Sequence, residues 1–379
     1  MSGSASGSEA SKAQRIEKVR QHMAAGGVDA LLLSHGADLP WLTGYRAMAL
    51  ERLTVFVLPR DGDAVLVVPG LEAPRVPEGS GAFSLRPWAE TEDPVDLTIA
   101  LLGGATGTLG ISDRAWATSL LSFQERLLTT RWVAASSVTS PLRAVKDAEE
   151  IGQLRAAGRA ADRVAEQLQT GEIALVGRTE AEVSEEIGAR LLAEGHRRVN
   201  FAIVGSGPNG ASPHHEAGSR RIGAGELVVC DFGGEYENGD DVGYCSDITR
   251  TVVTGVPSDE VSETYAVLLA AQQAAVGSVR AGVPAEQVDA VARSVIDEAG
   301  LGEYFIHRTG HGIGIEEHED PYLVAGNRTL LSAGHAFSVE PGIYFPGRFG
   351  MRLEDIVVVG TDGPDPLNRV DHSLVQVDA

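Results

Sequence analysis

Four acidic residues and one histidine in the C-terminal half of the chain have the residue types of a two-metal site. They are Asp231, Asp247, His311, Glu340 and Glu354, within the segments VVCDFGG, YCSDITRT, HRTGHGIG, SVEPGIY and MRLED. Carboxylate oxygens and an imidazole nitrogen together have the charge and softness to bind two divalent cations. If the five side chains converge, the protein is a dinuclear metallohydrolase. If they do not, it is an acidic globular protein.

Three of the acids, taken singly, have ordinary structural explanations. Asp231 follows an apolar run and would serve as a capping or turn residue at a strand end. Asp247 would form an ion pair with Arg250, and Glu354 with Arg352. None of these three acids predicts a metal site by itself.

The sequences around His311 and Glu340 favour the metal site. His311 lies between two glycines, where it would pack against little and its backbone could approach a ligand closely. Glu340 is followed by a proline and a glycine, which turn the chain away just after the carboxylate. Because a core histidine would have apolar neighbours instead, the five residues together predict a metal centre.

Composition and charge limit the class of protein. The 379 residues include 31 Lys and Arg and 53 Asp and Glu, which gives a formal net charge of −22. Such a charge repels nucleic acid and anionic membranes, so we expect neither as a partner. No apolar run approaches the roughly 18 residues of a membrane span, and no signal peptide follows the first Met. We therefore expect a cytoplasmic protein.

The length of the chain predicts two domains, since it exceeds that of one typical domain. The Gly/Ser-rich start, MSGSASGSEA, predicts a flexible tail over residues 1–12. The only cysteines, Cys230 and Cys245, cannot build a disulfide scaffold. Burial on core strands explains these two thiols better than metal ligation does.

Hydrophobic periodicity predicts alternating helices and strands in the N-terminal third, as in a compact α/β domain. The predicted elements are a helix over 13–25, strands over 30–33, 53–58, 64–68 and 107–112, and a helix over 119–128. The turn sequence PRDGD predicts that the second and third strands form a hairpin.

The remaining chain is predicted to place strands against longer helices. An amphipathic helix follows Glu150 and ends near Leu168, and a capping box at Thr179 and Glu182 opens a second one. Further helices begin at 258 and 284, and strands are predicted over 201–204, 227–231, 248–253, 336–340 and 352–359. The four acids fall at or next to these strands, whereas His311 is predicted in a Gly-rich loop.

In this order, the five residues resemble the metal ligands of the pita-bread metallopeptidases, in particular the creatinase/prolidase branch with aminopeptidase P and prolidase (Xaa-Pro dipeptidase). The segment LRAVKDAEEI (142–151) resembles the entry into that family's catalytic domain. Residues 13–45, ending in WLTGY, resemble the N-terminal domain, which methionine aminopeptidases lack. The resemblance implies an α/β (α+β) protein, with a creatinase-like α/β domain over 13–140 and a pita-bread catalytic domain over 141–379.

The resemblance also implies which of the two metal ions each of the five ligands would bind. Asp231 would bind one metal, His311 and Glu340 the other, and Asp247 and Glu354 would bridge both. A metal-bridging hydroxide would attack the scissile carbonyl, and Glu340 would accept the proton of the water. An oxygen-rich ligand set with one histidine suits Mn²⁺, with Co²⁺, Fe²⁺ or Zn²⁺ as alternatives. The resemblance also implies a homodimer.

Four further residues match functional positions of the family. His318 would donate to the substrate carbonyl as it becomes an oxyanion, and His214 would contact the substrate backbone. His307 would bind the proline side of the substrate, and Arg352 would orient Glu354. The alternative for each histidine is a surface or supporting residue, and His215 is expected to be a neighbour without a role.

One spacing departs from the family pattern. Asp231 and Asp247 are 16 positions apart (247 − 231), which is longer than usual in the family. The excess lies in the polar segment 237–242, which predicts a longer hairpin tip between two ligand strands. Asp240 or Asp241 could replace Asp247 as a ligand, but only Asp247 lies in the DITR motif.

The function implied is that of an exopeptidase that hydrolyses the Xaa-Pro bond of short peptides. Two alternatives stay open at this point. The same scaffold and metals would serve a hydrolase or lyase of a small metabolite, and a catalytically inactive relative would serve as a peptide-binding module.

Overall fold

The computed structural model describes residues 4–77, 81–236 and 242–377, which divide into two compact units. The first comprises the described residues up to Arg143, and the second comprises most of those from Ala144 onward. The predicted domain boundary after residue 140 falls inside helix α5 (Ser136–Ala144). Among the described residues, no helix is both long and apolar enough to span a bilayer.

The first unit is built on a six-stranded mixed sheet with the strand order β4-β3-β2-β1-β5-β6. Its strands are β1 (Ala30–Leu33), β2 (Val55–Pro59), β3 (Val65–Pro69), β4 (Ser84–Trp88), β5 (Thr108–Ile111) and β6 (Arg131–Ala134). Its other helices are α1 (Ser4–Gly26), α2 (Asp38–Thr43), α3 (Pro94–Leu101) and α4 (Ala117–Arg126), with a 3-10 turn at Ala73–Arg75. The predicted hairpin is confirmed, since β2 and β3 pair antiparallel with Val57 opposite Val65.

Helix α1 begins at Ser4, inside the segment for which the sequence predicts a flexible tail. Residues 1–3 lie outside the described residues, but residues 4–12 are helical. The stretch SEASKAQ explains the difference, because Ala, Glu, Lys and Gln are all strong helix formers. The Gly/Ser content of the first residues therefore misled the prediction about those that follow.

The second unit holds two larger sheets, each covered by a pair of helices. The helices are α6 (Ala148–Gln169), α7 (Glu180–Ala193), α8 (Asp259–Ser278) and α9 (Ala285–Glu298), with 3-10 turns at Gly207–Ala211 and Gly302–Tyr304. One sheet has the order β17-β9-β8-β7, the other β11-β10-β12-β15-β16, and β13 and β14 form a separate hairpin. These strands are β7 (His196–Ser206), β8 (Leu227–Tyr236), β9 (Tyr244–Thr254), β10 (Gly310–Gly312), β11 (Glu319–Leu323), β12 (Ala336–Val339), β13 (Gly342–Phe345), β14 (Phe349–Arg352), β15 (Asp355–Val359), β16 (Pro364–Pro366) and β17 (Val375–Val377).

Local capping sets where the helices of the second unit begin. The predicted capping box at α7 is confirmed: Thr179 Oγ1 accepts from the Glu182 amide, and the Glu182 carboxylate accepts from the Thr179 amide. Asp147 and Glu150 form the same arrangement at α6. Reciprocal caps satisfy backbone amides that would otherwise lack partners at a helix start.

The two helix pairs bury the backs of the two sheets and leave the opposite faces for a site. Helices α6 and α7 pack on β8 and β9, and α8 and α9 pack on β12 and β15. The two sheets meet where Thr249 of β9 forms an antiparallel bridge with Glu354, whose amide donates to the Thr249 carbonyl over 3.2 Å. This bridge brings the ligand segments of both sheets together.

Candidate metal centre

Asp231 and Asp247 lie on neighbouring strands and share one face of the sheet. Strands β8 and β9 pair antiparallel with Asp231 opposite Thr249 and Gly233 opposite Asp247. Because side chains alternate between the faces of a strand, both carboxylates point away from the helix-covered side. The side chains that alternate with them pack beneath α6 and α7: Val228, Cys230, Phe232, Ile248 and Val252.

The other three predicted ligands come from the second sheet. Glu340 directly follows β12, and Glu354 directly precedes β15, which pairs with β12. His311 lies on β10, and its side chain is only 5% exposed. The prediction of a Gly-rich loop with little packing around His311 is therefore wrong.

The glycines beside His311 explain both the strand and the wrong prediction. Strand β10 pairs with β11 on one side and with β12 on the other. A Cβ atom at Gly310 would overlap the carbonyl of Ser338, and one at Gly312 the carbonyl of Asp320. The glycines thus permit close strand pairing, whereas a sequence pattern reads them as loop signals.

The ligand atoms converge at the spacing that metal ions require. His311 Nε2 lies 3.3 Å from Glu340 Oε1 and 3.6 Å from Asp247 Oδ2. Ligand atoms of Asp247, His311 and Glu354 all lie within 4.8 Å of one another. Two ligands at about 2.0–2.2 Å from one ion would lie roughly 3 to 3.5 Å apart. Asp231 lines the same cavity.

The tautomer of His311 suits metal binding. Its Nδ1 lies 3.1 Å from the carbonyl oxygen of Gly312. Since a carbonyl can only accept, Nδ1 carries the proton and Nε2 directs its lone pair at the carboxylates. Such a backbone hydrogen bond behind the ligating nitrogen is typical of metal-binding histidines.

The electrostatics of the cluster are unfavourable without cations. Burial, together with the neighbouring carboxylates, raises the pKa of Asp247 and Glu354 well above their usual values. Burial also raises the pKa of Glu340 to about 7. Within the described part of the chain, the buried Oδ1 of Asp231 has no hydrogen-bond partner. A buried, unpaired carboxylate oxygen is costly, so this donor set fits divalent metal ions.

Arg352 connects ligands of the two sheets. It donates to Asp231 Oδ2, and its Nε donates to Thr249 Oγ1 over 3.0 Å. Thr249 Oγ1 in turn donates to Glu354 Oε2 over 2.6 Å. The expectation that Arg352 orients Glu354 is therefore corrected: Arg352 holds Asp231 directly and reaches Glu354 through Thr249.

The structural alternatives for single acids do not hold. Asp231 lies in the middle of β8 rather than at its end. The fully buried Arg250 pairs with Asp355 at 2.8 Å, not with Asp247, and it donates to the Glu354 carbonyl. The direct ion-pair partner of Arg352 is Asp231 rather than Glu354.

Both cysteines are buried on core strands, as predicted. Cys230 lies in β8 and packs in the core, and Cys245 lies in β9, where its Sγ is 3.4 Å from the Ile315 carbonyl. Burial raises the pKa of both thiols. Neither cysteine lines the cavity that holds the metal ligands.

The long segment between Asp231 and Asp247 leaves the strand pairing intact. Strands β8 and β9 are paired up to Tyr236 opposite Tyr244, which confirms a hairpin. The tip, 237–241, lies outside the described residues, and with it both Asp240 and Asp241. Asp247 is therefore the acid that the described strands place in the cluster.

His307 uses both ring nitrogens within the protein. Its Nδ1 donates to the Arg308 carbonyl over 2.8 Å, so the unprotonated Nε2 accepts from the Tyr344 hydroxyl over 2.9 Å. The Tyr344 oxygen also accepts from Arg352 over 2.9 Å, and burial raises the pKa of Tyr344 to about 12. Any contact of His307 with substrate would thus use the ring face or its C–H edge.

One cavity of about 590 Å³ unites the predicted residues. The ring of His318 lies 3.9 Å from that of His311, centroid to centroid, and both His214 and His318 are exposed toward it. All nine predicted site residues line it: Asp231, Asp247, His311, Glu340, Glu354, His214, His307, His318 and Arg352. His215 does not line it and instead pairs with Glu180 at 2.8 Å.

Sequence reasoning missed the hydroxyl groups that support the ligands. Ser338 Oγ donates to Glu340 Oε1 over 3.1 Å and accepts from the His311 amide over 3.0 Å. Thr249 supports Glu354 in the same way. Each hydroxyl residue lies two positions from a metal ligand on the same strand face, and this spacing was the signal available in the sequence.

Comparison with known proteins identifies the family of the chain. Residues 152–361 match the model of metallopeptidase family M24, and residues 15–145 match the creatinase/prolidase N-terminal domain. The probable dipeptidase PepE of Mycobacterium tuberculosis is 46% identical over 368 residues, covering 96% of both chains.

Solved structures match over almost the whole length. The dipeptidase PepE from Mycobacterium ulcerans superposes with a TM-score of 0.90 at 45% identity, covering 97% of this chain and 98% of that one. The prolidase from Thermococcus sibiricus superposes with a TM-score of 0.88 at 36% identity, covering 96% of this chain and 98% of that one. The predicted fold class and family resemblance are thereby confirmed. The chain belongs to metallopeptidase family M24, in the branch that carries a creatinase/prolidase N-terminal domain.

Proposed function

We propose that the protein is a metal-dependent Xaa-Pro dipeptidase that uses two divalent ions. One observation carries the proposal: three buried carboxylates, the half-buried Glu340 and a histidine with an unprotonated Nε2 line one cavity, and among the described residues one buried carboxylate oxygen there lacks a partner. Named dipeptidase and prolidase relatives that match the chain from end to end support the same reaction.

The ligand arrangement supports two adjacent metal positions. Asp231 would hold one ion, His311 and Glu340 the other, and Asp247 and Glu354 would lie between them and bind both. An oxygen-rich set with one imidazole suits Mn²⁺, and Co²⁺, Fe²⁺ or Zn²⁺ would fit the same ligands. When bound, such ions would supply Lewis-acid activation of the scissile carbonyl and of the attacking water.

Glu340 and His318 would move protons and stabilise charge during hydrolysis. Glu340 would accept a proton from the attacking water and deliver it to the leaving proline nitrogen. His318, exposed at the cavity wall, would donate to the carbonyl oxygen as negative charge develops there. His214, also exposed to the cavity, would contact the peptide backbone, and the ring of His307 would pack against the proline side.

Arg308 supports a dipeptide rather than a longer substrate. It lines the cavity, and its guanidinium carbon lies 4.3 Å from the centre of the Tyr322 ring. Among the described residues, no carboxylate forms an ion pair with Arg308, whereas Arg352 is bound to Asp231. A free cation beside the site fits a substrate whose proline carries a free carboxylate, which a dipeptide has.

The other functions are less well supported by the site. A catalytically inactive binding module would have no need of a complete ligand set. Aminopeptidase P activity would require an extended peptide beyond the proline, and a small-metabolite hydrolase would leave the proline-binding side unused. From the family resemblance we also infer a homodimer, which light scattering would test. The cytoplasmic location expected from the sequence would be tested by cell fractionation.

A substrate series with the metal content measured alongside tests the proposed function. Purified, Mn²⁺-loaded protein would be assayed on an Xaa-Pro dipeptide, the matching Xaa-Pro-Xaa tripeptide and a longer peptide. We expect the dipeptide to have the highest kcat/KM. Preference for the tripeptide would indicate an aminopeptidase, and no turnover of any proline peptide would refute the peptidase.

A further inference from the structure

Two adjacent histidines at the end of the segment 206–215, which contains the Gly207–Ala211 turn, face different surroundings. His214 lines the catalytic cavity, whereas His215 Nε2 lies 2.8 Å from Glu180 Oε2. We propose that Glu180 and His215 are positioning residues that fix this segment and thereby place His214 against the substrate. The kinetic part of this inference rests on the proposed function.

Glu180 accepts hydrogen bonds from several residues of the segment. It is the first residue of α7, and its side chain is fully buried. Its carboxylate accepts from the Ser206 amide at 2.8 Å, the Ser206 hydroxyl at 2.7 Å and the Asn209 side chain at 3.0 Å, besides His215. All these donors lie within residues 206–215, so one buried acid binds both ends of the segment.

The hydrogen bonds keep Glu180 ionised. Burial acts to raise the pKa of Glu180, but the donors from Ser206, His215 and Asn209 outweigh it, and the net pKa is lowered. The position at the start of α7 also favours negative charge. A buried anion without these partners would be strongly unfavourable, so the segment has little freedom to leave.

Besides Glu180, local backbone hydrogen bonds hold the segment: the Ser212 amide donates to the Asn209 carbonyl over 3.1 Å, and the His215 amide donates to the Ser212 carbonyl over 3.2 Å. Within the segment, Gly207 has a φ of +48°, a left-handed conformation that favours glycine. Ser212 and His214 are exposed. On the cavity side, Arg352 donates to the Pro213 carbonyl over 3.3 Å. His214 therefore lies between two anchors, the Arg352 contact before it and the Glu180–His215 pair after it.

The consequence is that His215 acts through His214. Displacing a substrate contact by about 1 Å can lower the rate about a hundredfold. We therefore expect His215→Ala to lower kcat/KM about ten- to hundredfold with the metal content unchanged. His215→Gln should recover most of this loss, because its amide nitrogen can reach the place of the ring Nε2 and donate to Glu180.

A double-mutant cycle separates positioning from an independent role. His214→Ala, His215→Ala and the double variant would be compared in the metal-loaded full chain. His22→Ala, at an exposed position of helix α1, would be the histidine control. The proposal predicts that the double variant is no slower than His214→Ala alone. The proposal would be overturned if the effects of the two single substitutions on kcat/KM multiply in the double variant. It would also be overturned if His215→Ala keeps the wild-type kcat/KM.

Hydrogen exchange provides a test that needs no turnover. Amides of residues 206–216 should exchange about tenfold faster or more in His215→Ala and at near wild-type rates in His215→Gln. Amides of the β2–β3 hairpin should exchange at the wild-type rate in both variants. Equal exchange in wild type and His215→Ala would overturn the proposal. If the wild type hydrolyses no Xaa-Pro peptide, the proposed function fails, and the exchange data still decide whether the pair fixes the segment.

Discussion

Arg308 gives a quantitative test of why the substrate should be a dipeptide. Replacing it by Met keeps the length of the aliphatic chain but removes the charge and all hydrogen-bond donors. A hydrogen bond between charged groups contributes about 1.5–3 kcal/mol. Because about 1.4 kcal/mol is a factor of ten, Arg308→Met should lower kcat/KM for an Xaa-Pro dipeptide about 10- to 150-fold.

The assay must separate loss of the carboxylate contact from an effect on the metal centre. Burial is the main reason that the pKa of His311 is lowered to about 3, and the charge of Arg308 adds to the effect. Arg308 is therefore close enough to influence the ligands. Each variant would be assayed on the dipeptide and on its C-terminal amide, which lacks the carboxylate, with Arg308→Lys as the variant that keeps the charge but loses the planar fork.

We expect Arg308→Met to lower kcat/KM for the dipeptide. For the amide, kcat/KM should stay within about twofold of the wild-type value, since an uncharged terminus gains little from the guanidinium. For Arg308→Lys, kcat/KM for the dipeptide should lie between the values of the wild type and of Arg308→Met. Equal losses on dipeptide and amide would refute the reasoning, because Arg308 would then act on the metal centre and not on the substrate carboxylate.

Three further perturbations have defined outcomes. Asp247→Asn replaces an ionised ligand by a neutral amide, so metal analysis should find fewer than two ions per chain and no measurable hydrolysis. Tyr344→Phe removes the hydroxyl between His307 and Arg352, and calorimetric metal titration should show about 10- to 100-fold weaker binding, with unchanged affinity contradicting the role of this hydroxyl. Burial lowers the pKa of His196 to about 4 in the folded state, against 6.5 in the unfolded state. Its contribution to the free energy of unfolding is therefore fully present above pH 6.5 and is lost as the pH falls to 4, because the unfolded state binds the proton first. Over that pH range, the free energy of unfolding measured with denaturant should fall by about 3 kcal/mol less in His196→Gln than in wild type. An equal fall in both proteins would contradict the assignment.

The five residues that converge in the cavity could be predicted from the sequence because the prediction depends on residue types in short motifs. Asp231 and Asp247 each lie within a run of strand-forming residues, and their shared face follows from strand alternation. The helix starts could be predicted for the same reason, since the capping box at Thr179 and Glu182 is a local signal.

The partners of the supporting side chains could not be predicted, because they are far apart in the chain. Arg352 and Asp231 are 121 positions apart, and Thr249 and Glu354 are 105. A neighbouring acid in the sequence is a poor guide to such partners, and for this reason the sequence wrongly predicts Glu354 as the direct partner of Arg352. The pairing of His215 with Glu180 across 35 positions was missed for the same reason.

His311 shows how a local signal can mislead. Two flanking glycines are typical of a loop, yet here they allow β10 to pair closely on both sides. The burial of His311 follows from that pairing, and its proton position follows from the carbonyl of Gly312. Neither property can be read from the HRTGHGIG segment alone.

The most direct test of the central claim is a titration of chelator-treated protein with Mn²⁺, in which bound metal and hydrolysis of an Xaa-Pro dipeptide are measured in the same samples. The arrangement of Asp231, Asp247, His311, Glu340 and Glu354 predicts no hydrolysis without metal and full activity at two bound ions per chain. Hydrolysis by metal-free protein, or saturation without any cleavage of the dipeptide, would contradict the assignment of this cluster as the catalytic centre.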